Sequence, residues 1–310
     1  VWAEAPPDPA DNVKRVELTT ETAVDRVLKL VPAVLGPRVG PDMQKLLRAA
    51  KEGAYEVDGA FVSYLVRPEV LEGTVYADIE FGLPGEGDER VALPHAFVSL
   101  ERGDDAIRGE SNDAGQYRFE GVDAAPVRRR VELRGPAVWV RDSGRELRTP
   151  FDTLTVSAGT PDEAVFTSRN ASASARDAFY HATLAWAYTR ALDPSDGMAE
   201  LDSTLELRVD DPRGACNAYW RGDYFNFFAA GSGCAATARI ADVVYHEYAH
   251  AATQYAYAPL PIPSDVNEGL SDYFAASLTN QPRIGRGFRG SSSYLREIET
   301  DRVFPGDAHP

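Results

Sequence analysis

His246-Glu247-Tyr248-Ala249-His250 constrains this chain more than any other short segment. On an α-helix, positions i and i+4 lie on one face about one turn apart. Two imidazoles placed there can reach one tetrahedral cation. Glu247 sits beside the first histidine without occupying a ligand position, where a carboxylate can take a proton from water. Two histidines leave a catalytic zinc one protein ligand short. Glu268 follows His250 by 18 positions, beyond Pro259, Pro261 and Pro263, which break the chain between two helical stretches. Asp272 lies one turn further on the same face, able to hydrogen-bond the outer nitrogen of a ligand histidine. Each motif alone also fits a solvated helix face. Together they predict that His246, His250 and Glu268 share one Zn2+, which requires the two helices to meet.

The rest of the chain divides by pattern into residues 1–58, 59–160 and 161–310. In the first, Val24, Val27, Leu28 and Val31 fall at helical spacing, and Met43, Leu46 and Leu47 mark a second short helix. The two read as a helical leader or linker, too short to form a core alone. Residues 59–160 hold short β-rich runs at 61–66, 74–81, 96–100, 116–119, 137–140 and 151–156, some separated by Gly-, Asn- and Asp-containing turns. That reads as an antiparallel β-sandwich, with His95 a strand residue. In residues 161–310, helices are expected over about 176–192, 235–257 and from about 265, with a strand over 202–209. The fold class is therefore α+β.

The stretches Pro94-His95-Ala96-Phe97-Val98 and Asp113-Ala114-Gly115-Gln116-Tyr117-Arg118-Phe119 resemble the carboxypeptidase regulatory-like sandwich. The histidine motif, led by Asp242-Val243-Val244-Tyr245, resembles the gluzincin metallopeptidases of the thermolysin and fungalysin type. Asn267-Glu268 with Ser271-Asp272 resembles their third-ligand helix, and Asp177-Ala178-Phe179-Tyr180 a helix further upstream. Asn217-Ala218-Tyr219-Trp220 resembles the strand on which such enzymes hold the substrate backbone, implying β-addition of an extended peptide at Asn217 and Ala218. The resemblance implies a carbonyl-binding role for Arg296 and an oxyanion role for His309. Tyr255 and Tyr257 fit the family's oxyanion tyrosine poorly. The chain ends at Pro310 in what reads as a loop, so the family's C-terminal lobe is expected to be missing from this piece.

The formal net charge is −16, from 48 acidic against 32 basic residues, which argues against nucleic acid as a partner. No apolar run approaches the roughly 20 residues of a membrane span. Cys216 and Cys234 either form one disulfide or stay as two buried thiols; a secreted chain favours the disulfide. Asn170-Ala171-Ser172 is a glycosylation acceptor pattern, meaningful only in a eukaryotic secretory host. The expected function is that of a secreted zinc endopeptidase acting on peptide or protein substrates, with Glu247 activating water. The alternatives are a zinc aminopeptidase and a non-catalytic metal-binding or adhesive module. The sequence leaves the oligomeric state open.

Overall fold

The structure is a computed structural model. It describes residues 70–299 except 104, 123–124 and 194–196, together with the backbone of four earlier strands. The helices expected around residues 24–31 and 41–47, and His309, lie outside the described residues. The chain forms two compact units. One comprises Val1–Leu71, Phe119–Pro126 and Ser157–Thr160, the other Glu72–Arg118, Val127–Val156 and Pro161–Pro310. The first contains β1 (Trp2–Glu4), β2 (Arg15–Glu17), β3 (Ala54–Val57) and β4 (Ala60–Leu65), in antiparallel order β2-β1-β4-β3.

The larger unit begins with two β-sheets. Their strands are β5 (Val70–Glu80), β6 (Asp88–Ala92), β7 (Phe97–Arg102), β8 (Asp105–Glu110), β9 (Gln116–Glu120) and β10 (Val127–Glu132). After β11 (Val138–Asp142) come β12 (Phe151–Val156) and β13 (Asp162–Phe166). One sheet runs β12-β10-β7-β8; the other runs β13-β5-β6, with β9 also on β5. The β13–β5 pair is parallel. Alternation places Val127, Arg129 and Val131 inward on β10. Arg129 is fully buried there and reaches Asp162 at 2.7 Å and Asp152 at 2.5 Å, while the Tyr117 hydroxyl donates to Asp162. A buried guanidinium is tolerated because two carboxylates satisfy it. His95 stands in a turn at φ 56°, not in a strand, with its ring on Asp113 at 2.8 Å.

Strands on both sides of residue 160 share sheets. β11 pairs in parallel with β14 (Leu205–Asp211), which pairs in parallel with β16 (Tyr224–Phe228); β15 (Ala218–Trp220) completes the order β11-β14-β16-β15. Three α-helices follow the same unit among the described residues: α1 (Ala173–Leu192), α2 (Ala241–Tyr257) and α3 (Ser264–Thr279). Ser172 caps α1 by accepting the Ala175 N–H at 3.2 Å. Asn280 ends α3 in the left-handed conformation. The helical stretch expected from Ala235 starts only at Ala241; a 3-10 turn over Thr237–Arg239 comes first. That turn delivers Arg239 to a buried acid cluster, with its Nε 2.7 Å from Asp177 on α1 and its Nη2 on Glu80 of β5. Two small strands, β17 (Arg283–Ile284) and β18 (Arg296–Glu297), pair beyond α3. No described helix is long and apolar enough to cross a membrane.

Candidate metal centre

The histidine motif lies in the middle of α2, whose residues from Asp242 to Ala249 are all buried. The three prolines separate α2 from α3, and the two helices pack along each other. This brings Glu268 to both imidazoles: Oε2 lies 3.2 Å from His246 Nε2, and Oε1 lies 3.6 Å from His250 Nε2. Neighbouring ligand atoms around a tetrahedral zinc, with bonds of about 2.0–2.2 Å, stand about 3.4 Å apart. These three residues therefore fit a zinc ion by spacing as well as by donor chemistry.

Glu247 is a second carboxylate at the site, with ligand atoms of His246, Glu247 and His250 all within 4.8 Å of one another. Glu268 is the better third ligand, because it alone meets both Nε2 atoms at ligand spacing. Glu247 is held from another side, its carboxylate accepting the backbone N–H of Trp220 on β15. Burial raises its pKa to about 7, partly opposed by the charge of His246. That is the range in which a general base is effective near neutrality.

The outer nitrogens of both histidines are also engaged. His246 Nδ1 lies 2.8 Å from Asp272 Oδ1, and His250 Nδ1 lies 3.0 Å from the Ser271 hydroxyl. Ser271 and Asp272 are fully buried. The Asp272 carboxylate accepts from Nδ1–H and so fixes the His246 tautomer with Nε2 towards Glu268, while the Ser271 hydroxyl, able to donate or accept, orients the His250 ring. Burial opposes charge on His246, but hydrogen bonds to Asp272 and Glu268 carry its pKa up to about 9. Burial and the neighbouring His246 lower that of His250. Burial acts to raise the Asp272 pKa, yet bonds from His246 and Arg296 hold it below the ordinary carboxylate range. Arg296 forks onto Asp272 at 2.6 and 2.7 Å and lines the cleft from behind His246.

The cleft holds about 740 Å³ and has β15 on one side. β15 is the edge of its sheet. Phe228 N–H bonds to Asn217 C=O and Arg221 N–H to Tyr224 C=O, so the odd-numbered residues of this strand face β16. By antiparallel alternation, the backbone groups of Ala218 and Trp220 point to the open edge. The Asn217 carbonyl is used within the fold, since it also accepts from the Thr237 hydroxyl at 3.1 Å. Cys216 and Cys234 form a disulfide, tying the start of β15 to the segment that leads into α2. Opposite, Gly285 sits at φ 71°, where a Cβ would come within 2.6 Å of Leu295, and its N–H bonds to Asp242 on α2 at 3.0 Å. Only glycine satisfies both demands. Tyr255 and Tyr257 are at the C-terminal end of α2 and are not among the cleft-lining side chains.

Ser271, the Trp220 N–H and the Asp272–Arg296 pair are contacts the sequence reading did not assign. Ser271 carried a usable signal, since it lies three residues after Glu268 on the same helix face.

The model of the thermolysin metallopeptidase catalytic domain matches residues 139–254. It covers the strands that lead to the cleft, α1 and nearly all of α2. The match supports a thermolysin-like metallopeptidase reading of that stretch. No curated protein matches the chain. Among solved structures, the precursor of protealysin, a metalloproteinase from Serratia proteamaculans, is 18% identical, with a TM-score of 0.40. The overlap covers 52% of this chain and 53% of that one, so the chain spans about half that protein's length. A Pseudomonas aeruginosa protein described as a candidate carbohydrate binding protein overlaps 33% of this chain and 89% of its own, at 13% identity and a TM-score of 0.20. Both overlaps are too loose to bear on function.

Proposed function

We propose that this chain carries the catalytic centre of a secreted zinc endopeptidase that hydrolyses internal peptide bonds. The observation that carries the reading is the convergence of His246, His250 and Glu268 at ligand spacing, with buried Glu247 beside them and an open strand edge alongside. His246, His250 and Glu268 would hold the ion, with Asp272 and Ser271 orienting the two rings. Zinc, when bound, polarises a carbonyl and makes water more acidic. Glu247 accepts the proton of the attacking water and passes it to the leaving amine. The outward N–H and C=O of Ala218 and the C=O of Trp220 pair with an extended peptide, as in strand addition, while the Trp220 N–H stays on Glu247. The disulfide supports an oxidising compartment. In this reading the sandwich is a spacer of the carboxypeptidase regulatory-like kind.

An aminopeptidase needs an anionic group to capture the substrate amine. Among the described residues, the carboxylates lining the cleft are Glu247 and Glu268, and both face the imidazoles. This favours cleavage within the chain. Peptides blocked at both ends should be cleaved as readily as those with a free amine, and chelation followed by zinc should abolish and restore the activity. Cleavage restricted to free-amine peptides would move the assignment to an aminopeptidase. One bound zinc without any cleavage would leave a metal-binding module.

A further inference from the structure

The charged side chains lining the cleft, among the described residues, are His246, Glu247, His250, Glu268, Arg289 and Arg296. The first four face one another, and Arg296 is forked onto Asp272. Arg289 differs: no described carboxylate pairs with its guanidinium, and it is exposed. In a chain of net charge −16, a cation in the cleft of the candidate metal centre with no carboxylate partner among the described residues stands out.

The backbone that presents it is fixed. Phe288, its neighbour, is buried against the cleft, and its C=O accepts the Ala235 N–H at 2.9 Å, next to the disulfide-bonded Cys234. The Arg289 N–H donates to the Ser293 hydroxyl at 2.8 Å. Gly287 and Gly290 flank the pair at φ 80° and 116°. A tight turn, tied at both ends, thus fixes the backbone from which the Arg289 side chain lines a cleft that also contains Cys216 and the Asn217–Trp220 edge.

Resting on the peptide-cleaving reading of this cleft, we propose that Arg289 selects substrates by binding a carboxylate carried by the peptide close to the scissile bond. A guanidinium offers a planar fork of donors that matches a carboxylate. The acidic surface does not cancel this preference. Charges beyond about 8 Å are largely screened at physiological salt, so the nearest cation governs a peptide already in contact. The carboxylate comes from an Asp or Glu side chain or from the peptide's own terminus.

The test compares peptides that differ only by Glu or Gln at each position flanking the cleaved bond, each as a C-terminal acid and as an amide. The zinc-loaded full chain is expected to favour the carboxylate form by about threefold to tenfold in kcat/KM, in keeping with a partly solvated ion pair. The position-dependent arm identifies a side chain, and the acid-against-amide arm identifies the terminus. Arg289→Gln should bring the ratio to about one, and Arg289→Glu should invert it. Binding of the same labelled peptides to Glu247→Gln, read by fluorescence anisotropy, should show the same ratios without turnover. Absence of hydrolysis in the wild-type chain would therefore count against the peptidase reading, while the anisotropy ratio still decides the role of Arg289. Equal behaviour of both forms in binding, or a carboxylate preference that survives in Arg289→Gln, overturns the proposal.

Discussion

Glu247→Gln should lower peptide hydrolysis by about 10²–10⁴-fold, the usual contribution of a positioned general base, while one equivalent of zinc stays bound. The substitution keeps the shape and removes the proton acceptor. Gln can still accept the Trp220 N–H that orients Glu247, so the fold around α2 has no reason to change. The metal should stay because both Nε2 atoms and Glu268 remain in place. Burial raises the Glu247 pKa, so its basic form is lost as pH falls through about 7 in the metal-free site. A bound cation moves that limb lower. Rates near wild-type in the variant would remove Glu247 from the mechanism. Loss of zinc together with activity would make it a ligand instead.

The second large effect is on stability. Arg239→Gln should destabilise the fold by about 3–5 kcal/mol at pH 8, the range seen when one partner of a buried ion pair is removed. Arg239 is the cation between Glu80 and Asp177, both buried, with Asp88 at 3.1 Å. Arg176 also bonds to Asp88, at 2.6 Å. Even with Arg239 present, burial lifts Asp177 to about pKa 7. Because this folded-state value is above the unfolded one, the cost of ionising Asp177 accrues as pH rises towards 7 and is relieved as pH falls. The penalty in the variant should therefore be smaller at pH 5.5 than at pH 8. Urea unfolding at the two pH values checks this. A loss under about 1 kcal/mol, or one independent of pH, would mean that the cluster is solvated or rearranges freely.

Helical spacing puts His246 with His250 on one helix face and Glu268 with Asp272 on another, but neither spacing encodes that the two helices meet. Ion-pair partners such as Arg239 and Glu80 are 159 positions apart, and no local pattern links them. The run 151–156 reads directly as β12, whereas the run Val127-Arg128-Arg129-Arg130-Val131-Glu132 reads as a solvated stretch and is β10. The reason is that Arg129 is buried on Asp152 and Asp162, which only tertiary structure supplies. β11 was expected in the sandwich, yet it pairs in parallel with β14, because strand pairing partners are not encoded in a strand's own residues. The edge position of β15 was inferred from resemblance alone, since three residues carry too little periodicity to read.

The most direct measurement is anomalous diffraction from crystals grown with zinc. The account predicts one ion about 2.0–2.2 Å from His246 Nε2, His250 Nε2 and a Glu268 oxygen, with Glu247 outside bonding distance. An ion bound elsewhere, or those three side chains pointing apart with zinc in excess, would contradict it.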